Sequence, residues 1–239
     1  MTNPAALYEA AAACYERSGY RARAAHCLEA AGLSAAAART FEQAGELTDA
    51  ARCYRRAGQL ADAERSYLAL GLPEQAAAGW EEAGDLLRAA FVLAVRSRNI
   101  AQARWLATEA AVHAPRGPAG GREAELHRMQ STAIVALCDA RASGDSAPLA
   151  RVLGALEDRL PSLPPDERWQ CETFSVTVGD AVGRHDLAAR ALAASHRAGT
   201  PGATARWRAW AAHTLHGTIG VPSPADSAPA TPSAPPGHE

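Results

Sequence analysis

The stretch AARCYRRAGQLADAERSYLALG, Ala50 to Gly71, states nearly the same phrase twice. Small residues lead, a tyrosine follows, and a glycine closes the phrase at Gly58 and again at Gly71. The phrase extends in both directions: glycines stand at Gly19, Gly32, Gly45, Gly58, Gly71 and Gly84, always 13 residues apart. Four residues before each comes a large apolar residue: Tyr15, Leu28, Phe41, Tyr54, Tyr67, Trp80. Seven and eight residues before most of them comes an alanine pair, as at Ala24-Ala25, Ala37-Ala38 and Ala50-Ala51. A seventh phrase keeps Ala89-Ala90 and Leu93 but has Ser97 in the glycine place, and an eighth keeps Leu106 with Ala110 there. Such decay is expected of a terminal, capping repeat.

Each phrase predicts one short helix. The alanine pair and the large residue fall about one turn apart and share a face. The glycine supplies a left-handed stop. Asn3-Pro4 and Pro73 are helix-start signals. A helix of ten residues is only about 15 Å long and is marginal alone in water. Repetition solves this: each helix lies antiparallel on the next, two phrases make a 26-residue hairpin, and stacked hairpins bury a shared core. The expected fold is all-α: a two-layer α-solenoid of short hairpins over residues 1–113, followed by a second helical, repeat-like region.

The phrase A-A-x-x-Y-x-x-A-G, as at Ala50–Gly58, resembles the tetratricopeptide-like superfamily of helical repeats, closest to its short-repeat, attachment-protein-like branch. The resemblance covers roughly residues 5–113. Its period of 13, or 26 per pair, differs from the 34 or so of the tetratricopeptide repeat itself. The resemblance implies a scaffold or adaptor that binds other proteins.

The pattern breaks at HAPRGPAGGR, and residues 114–122 read as a linker. A helical repeat-like domain is expected over 123–218. Leu126, Met129, Ala133, Leu137 and Cys138 form one stripe; Leu149, Val152, Leu153, Leu156 and Leu160 form another. A further helix is expected over Asp166–Val182, and GRHDLAARALAASHRAG from Gly183 to Gly199 restates the repeat phrase. Residues 219–239 are rich in Pro, Ser and Ala and read as a disordered tail.

Composition narrows the function classes. All 24 basic side chains are arginine, which excludes a Schiff-base lysine and the lysine of a P-loop. The net charge of −2 gives no drive toward nucleic acid or acidic membranes. The N-terminal residues lack a basic start and are interrupted by Glu9 and Glu16, so they read as no signal peptide. Five cysteines without paired spacing fit a reducing cytoplasm.

Cys14, Cys27 and Cys53 share one repeat position, five before the glycine, where Thr40, Ser66 and Gly79 stand elsewhere. That position reads as a packing contact for small residues. His213 and His216 stand three apart on a helix, but no carboxylate at ligand spacing accompanies them, so no metal is expected. Asp186 beside His185 reads as a helix start, and Cys171 with His185 has no local support as nucleophile and base. No cofactor motif is present.

Two sets of residues are candidate contacts for a protein partner. Seven residues after successive glycines come His26, Arg39, Arg52, Arg65, Ala78, Phe91 and Arg104. Arg39 and Arg65 fall in one layer, Arg52 in the other. Such a row is either a solvated face or a bidentate grip on an acidic segment. In ARWRAWAAH, Trp207 and Trp210 share a face with Ala211 and are either core or a partner anchor. The expected function is a non-catalytic adaptor of a bacterial multi-protein system. The alternatives are a regulatory subunit of a separate ATPase or other enzyme, and an enzyme of unknown reaction.

Overall fold

The computed structural model describes residues 3–114 and 121–216. Most of the predicted linker and all of the predicted tail, 219–239, lie outside the described residues. Those described fold into α-helices joined by short turns, without strands. They divide into two compact units, residues 1–144 and 145–239.

The first unit begins with α1 (Pro4–Arg17), α2 (Arg21–Ala30), α3 (Ser34–Ala44), α4 (Leu47–Arg56), α5 (Leu60–Ala69), α6 (Pro73–Glu82) and α7 (Leu86–Arg96). The joint after α3 shows how the period arises. Gly45 is left-handed, with φ of 82°. Its N–H donates to the Glu42 carbonyl at 3.1 Å, and the Glu46 N–H donates to the Phe41 carbonyl at 2.9 Å. This is a Schellman stop. Glu46 is also the N-cap of α4: its carbonyl accepts the Ala50 N–H at 3.0 Å. One residue thus closes a helix and opens the next. The five other repeat glycines have φ between 70° and 83°, and in each the following residue donates back at 2.9 Å. Ten or eleven helical residues plus this joint make thirteen.

The alanine pairs let consecutive helices approach closely. Ala24, Ala25, Ala37, Ala38, Ala50, Ala51, Ala89 and Ala90 are all fully buried, and Phe41, Tyr54, Tyr67 and Leu93 fill the space between them. Each helix packs on the next in sequence. Helices two apart are tied by longer side chains, Glu29 of α2 to Arg52 of α4 and Glu42 of α3 to Arg65 of α5.

The predicted decay at Ser97 is a change of joint, not the end of the stack. Ser97 is extended (φ −99°, ψ 163°) and cannot make the glycine stop. Its hydroxyl donates to Glu74 at 2.6 Å and accepts the Asn99 N–H at 2.9 Å. Arg141 donates to the carbonyls of Ala94 and Ser97 at the end of α7. After this joint α8 (Ile100–Val112) leaves the register, and Trp105, five residues before Ala110, is exposed. The next helix, α9 (Gly121–Ser143), packs on α8 and α7, and Arg104 pairs with Asp139 at 2.7 Å. The first unit therefore runs past the boundary expected near residue 113 and ends at Gly144.

The second unit holds α10 (Ala147–Arg159), a 3-10 turn at Leu160–Ser162, α11 (Pro165–Ala181), α12 (His185–Arg197) and α13 (Ala203–Thr214). Leu149, Leu153, Leu156, Val178, Leu187 and Leu192 form its core. The restated phrase folds as expected: Arg184 donates back to Gly179 at 2.9 Å and Thr200 to Ser195 at 3.0 Å, each just after a left-handed glycine. At Gly179 a Cβ would lie 2.9 Å from the Ala188 nitrogen, so α11 and α12 meet backbone to backbone. No described helix is long and apolar enough to cross a membrane.

Gly45→Ala tests the joint in isolation, because an added Cβ meets nothing within 4 Å and only the backbone conformation is charged. The substitution should lower unfolding free energy by roughly 1–2 kcal/mol, the cost of a left-handed non-glycine residue. Urea denaturation with circular dichroism measures it.

Candidate functional site

The arginine row lies on the solvent side of the first unit, and its members differ in what they hold. Arg52 grips both oxygens of Glu29, the second at 3.2 Å, and reaches Asp49 at 2.7 Å. Arg56 adds a bond to Glu29 at 2.7 Å. The hydrogen bond from Arg52 is the main reason the Glu29 carboxyl sits below the usual carboxylate range, with burial opposing it. Arg65 reaches Asp62 at 2.8 Å and Glu42 at 3.2 Å. His26 packs edge-on against Phe41, 4.9 Å between ring centres. Arg104 belongs to the tie between α8 and α9.

Both paired arginines take a carboxylate 23 residues earlier. Arg39 has the matching acid at Glu16, also 23 residues earlier, yet it makes no ion pair among the described residues. It lines an open depression of about 450 Å³ with Glu42, Gln43, Tyr54, Gln59 and Asp62. Glu42 and Asp62 are engaged by Arg65, and the Tyr54 hydroxyl donates to Glu42 at 2.6 Å. The Gln59 Oε1 is buried and accepts no hydrogen bond. The depression thus offers one unpaired cation and one unpaired buried acceptor.

A feature the sequence reading passed over lies at Glu64. It stands where the second alanine of the pair belongs, after Ala63, and it is buried. Arg88 donates to both its oxygens, at 2.9 and 2.6 Å, and the Trp80 indole N–H donates at 2.7 Å. The broken alanine pair was the available signal. Glu172, also buried, is gripped by Arg206 across α11 and α13 in the second unit.

The tryptophans separate. Trp207 is buried, which removes its ring from any surface contact; it belongs to the core. Trp210 is half-buried and donates to Asp180 at 3.1 Å. His185 Nδ1 contacts the same carboxylate at 3.0 Å, so this histidine is oriented by Asp180. Cys171 is buried, and burial pushes its thiol up to about 11, the reverse of an activated nucleophile. Cys53 is buried as the packing reading expects, while Cys14 is exposed. Among the described residues no three His, Cys, Asp or Glu side chains gather to hold a metal.

No family model, curated protein or solved structure matches this chain.

Removing one partner of a buried pair costs most when it strands the buried charge. Arg88→Met strands Glu64 and should lower stability by roughly 3 kcal/mol. Glu64→Gln keeps an acceptor for Trp80 and should cost about 1–2 kcal/mol. Urea unfolding followed by tryptophan fluorescence ranks the two. The Tyr54 hydroxyl is pushed up to about 12, first by burial and then by its bond to Glu42. Its folded value lies above the unfolded value of about 10, so its contribution is complete below that pH and is lost as pH rises toward 12. Tyrosinate absorbance of the native protein minus that of Tyr54→Phe should show one phenol titrating late.

Proposed function

We propose that this chain is a non-catalytic scaffold or adaptor of a bacterial multi-protein system, acting in the cytoplasm, and that it belongs to the tetratricopeptide-like class of short α-solenoids. The observation that carries this reading is the depression at Arg39. Among the described residues its guanidinium makes no ion pair, in a row whose other arginines on α4 and α5 are clamped. An exposed pair with Glu16 would be worth only about 0–1 kcal/mol, little obstacle to a ligand.

The chemistry fits an extended acidic segment of a partner protein. A carboxylate would take two N–H groups of Arg39 in bidentate fashion. A main-chain N–H of the same segment would donate to the Gln59 Oε1 once that carboxamide turns outward from its buried position, where it has no donor. Arg52 and Arg65 shape this surface by tying helices two apart, and they contact the partner less directly than the sequence row suggests. Trp210, already bound to Asp180, is a secondary candidate.

Affinity capture of the tagged full-length chain from its native lysate, with quantitative mass spectrometry, tests the reading. A stoichiometric protein partner is expected, and Arg39→Glu should reduce its recovery at least about tenfold, the loss of one charge-assisted contact plus a like-charge penalty. Recovery of no partner, or of one indifferent to Arg39→Glu and Gln59→Leu, would refute it.

A further inference from the structure

We propose that the depression between the α5–α6 joint and the α7–α8 joint binds a free α-amino acid with an apolar side chain. Its carboxylate would lie on Arg96 and Arg98, its ammonium on Glu74. The sequence marks the place. The six repeat glycines have no basic residue on either side, whereas Ser97, in the glycine place, has Arg96 before it and Arg98 after it. Both arginines are exposed, and neither makes an ion pair among the described residues. Nor does the end of α7 occupy them. Arg141 already donates to its last carbonyls, those of Ala94 and Ser97.

The depression has a volume of about 490 Å³, and its lining combines apolar Leu68 and Pro73 with the Glu74 carboxylate and the two arginines. That volume suits a small molecule. Ser97 fixes the acid: its hydroxyl donates to Glu74 Oε1 at 2.6 Å, and this bond holds the carboxyl below the usual carboxylate range. A carboxylate has about four acceptor sites, so Glu74 keeps room for further donors.

Opposite charges thus share one open depression without pairing with each other. A zwitterion joins them: the guanidinium groups take its carboxylate and Glu74 takes its ammonium. Inorganic phosphate would satisfy the arginines but set a second anion beside Glu74. Leu68 and Pro73, both half-buried, offer a wall for an apolar side chain. The site shares no lining residue with the depression at Arg39, so the two stand or fall separately.

Nuclear magnetic resonance titration of the full-length chain with L-leucine tests this. Saturable shifts of the Gly71, Ser97 and Arg98 amide signals are expected, with a dissociation constant on the order of millimolar, the scale of a few solvent-exposed charged contacts. N-acetyl-leucine lacks the ammonium and leucinamide lacks the carboxylate; each should bind at least about tenfold more weakly. Gly-Gly-Leu, which moves the ammonium away from the carboxylate, should also bind at least about tenfold more weakly. Arg96→Ala combined with Arg98→Ala should abolish saturation, and Glu74→Gln should weaken binding at least about tenfold. Circular dichroism checks that both variants keep their helices. No saturable shift with leucine, or binding that the arginine double variant leaves unchanged, would overturn the proposal. N-acetyl-leucine or phosphate binding as tightly as leucine would reduce the site to one for simple anions, and tighter binding of Gly-Gly-Leu would make the ligand a chain terminus; either result overturns the free amino acid.

Discussion

Glu46 donates its N–H to the helix behind it and lends its carbonyl to the helix ahead, and only a left-handed Gly45 brings both groups into reach. That geometry leaves no room for a longer loop. It satisfies an orphan carbonyl of one helix and supplies the acceptor of the first intrahelical bond of the next with a single residue. Repetition of the joint holds the helices near ten residues and makes them reverse direction each time. Helices so short do not persist alone, so the joint forces the chain to rely on side-by-side burial. The alanine pairs answer that demand. With side chains of one carbon, the helix axes come close and every joint repeats the same contact.

Within the repeat helices α2 to α7, close packing is between neighbours, and arginine ties helices two apart. Its planar fork matches a carboxylate in two bonds, as Arg52 does with Glu29, Arg88 with Glu64 and Arg206 with Glu172. The ties are unequal. Arg65 with Glu42 is well exposed and contributes little. Glu64 is buried, so its pairing with Arg88 and Trp80 is obligatory. Both units use this device, and in both the acid sits deeper than the arginine.

The solenoid was legible because its signals are local. A glycine every thirteen residues, an alanine pair and a large apolar residue each act within one helix or one joint, and a linear reading recovers such signals. The arginine row was visible as a row but not as a set of clamps. Pairing at a separation of 23 depends on which helices stack, and the same spacing is filled at Arg52 and Arg65 yet open at Arg39. The domain boundary misled for a related reason. HAPRGPAGGR has linker composition, but composition is silent on whether the helix beyond it packs back onto α8. Trp207 and Trp210 sit three residues apart on one face, and helical spacing alone does not separate a buried ring from a half-buried one.

Departures from the repeat phrase mark where a chain is doing more than folding, provided the structure does not compensate them. Glu64 departs from the alanine pair and is fully answered by Arg88 and Trp80. Ser97 departs from the glycine and is answered by Glu74 and Arg141. Those two are repairs, and they leave no unmet chemistry. Arg39 is different: it obeys the row and makes no ion pair among the described residues, which also give the acceptor beside it on Gln59 no donor. Ala11 and Cys14 also obey the phrase, yet they are half-buried and exposed. Unmet polar pairing on one surface and unmet apolar burial on another call for different occupants. On the proposed function, the first is met by an acidic segment with a free N–H.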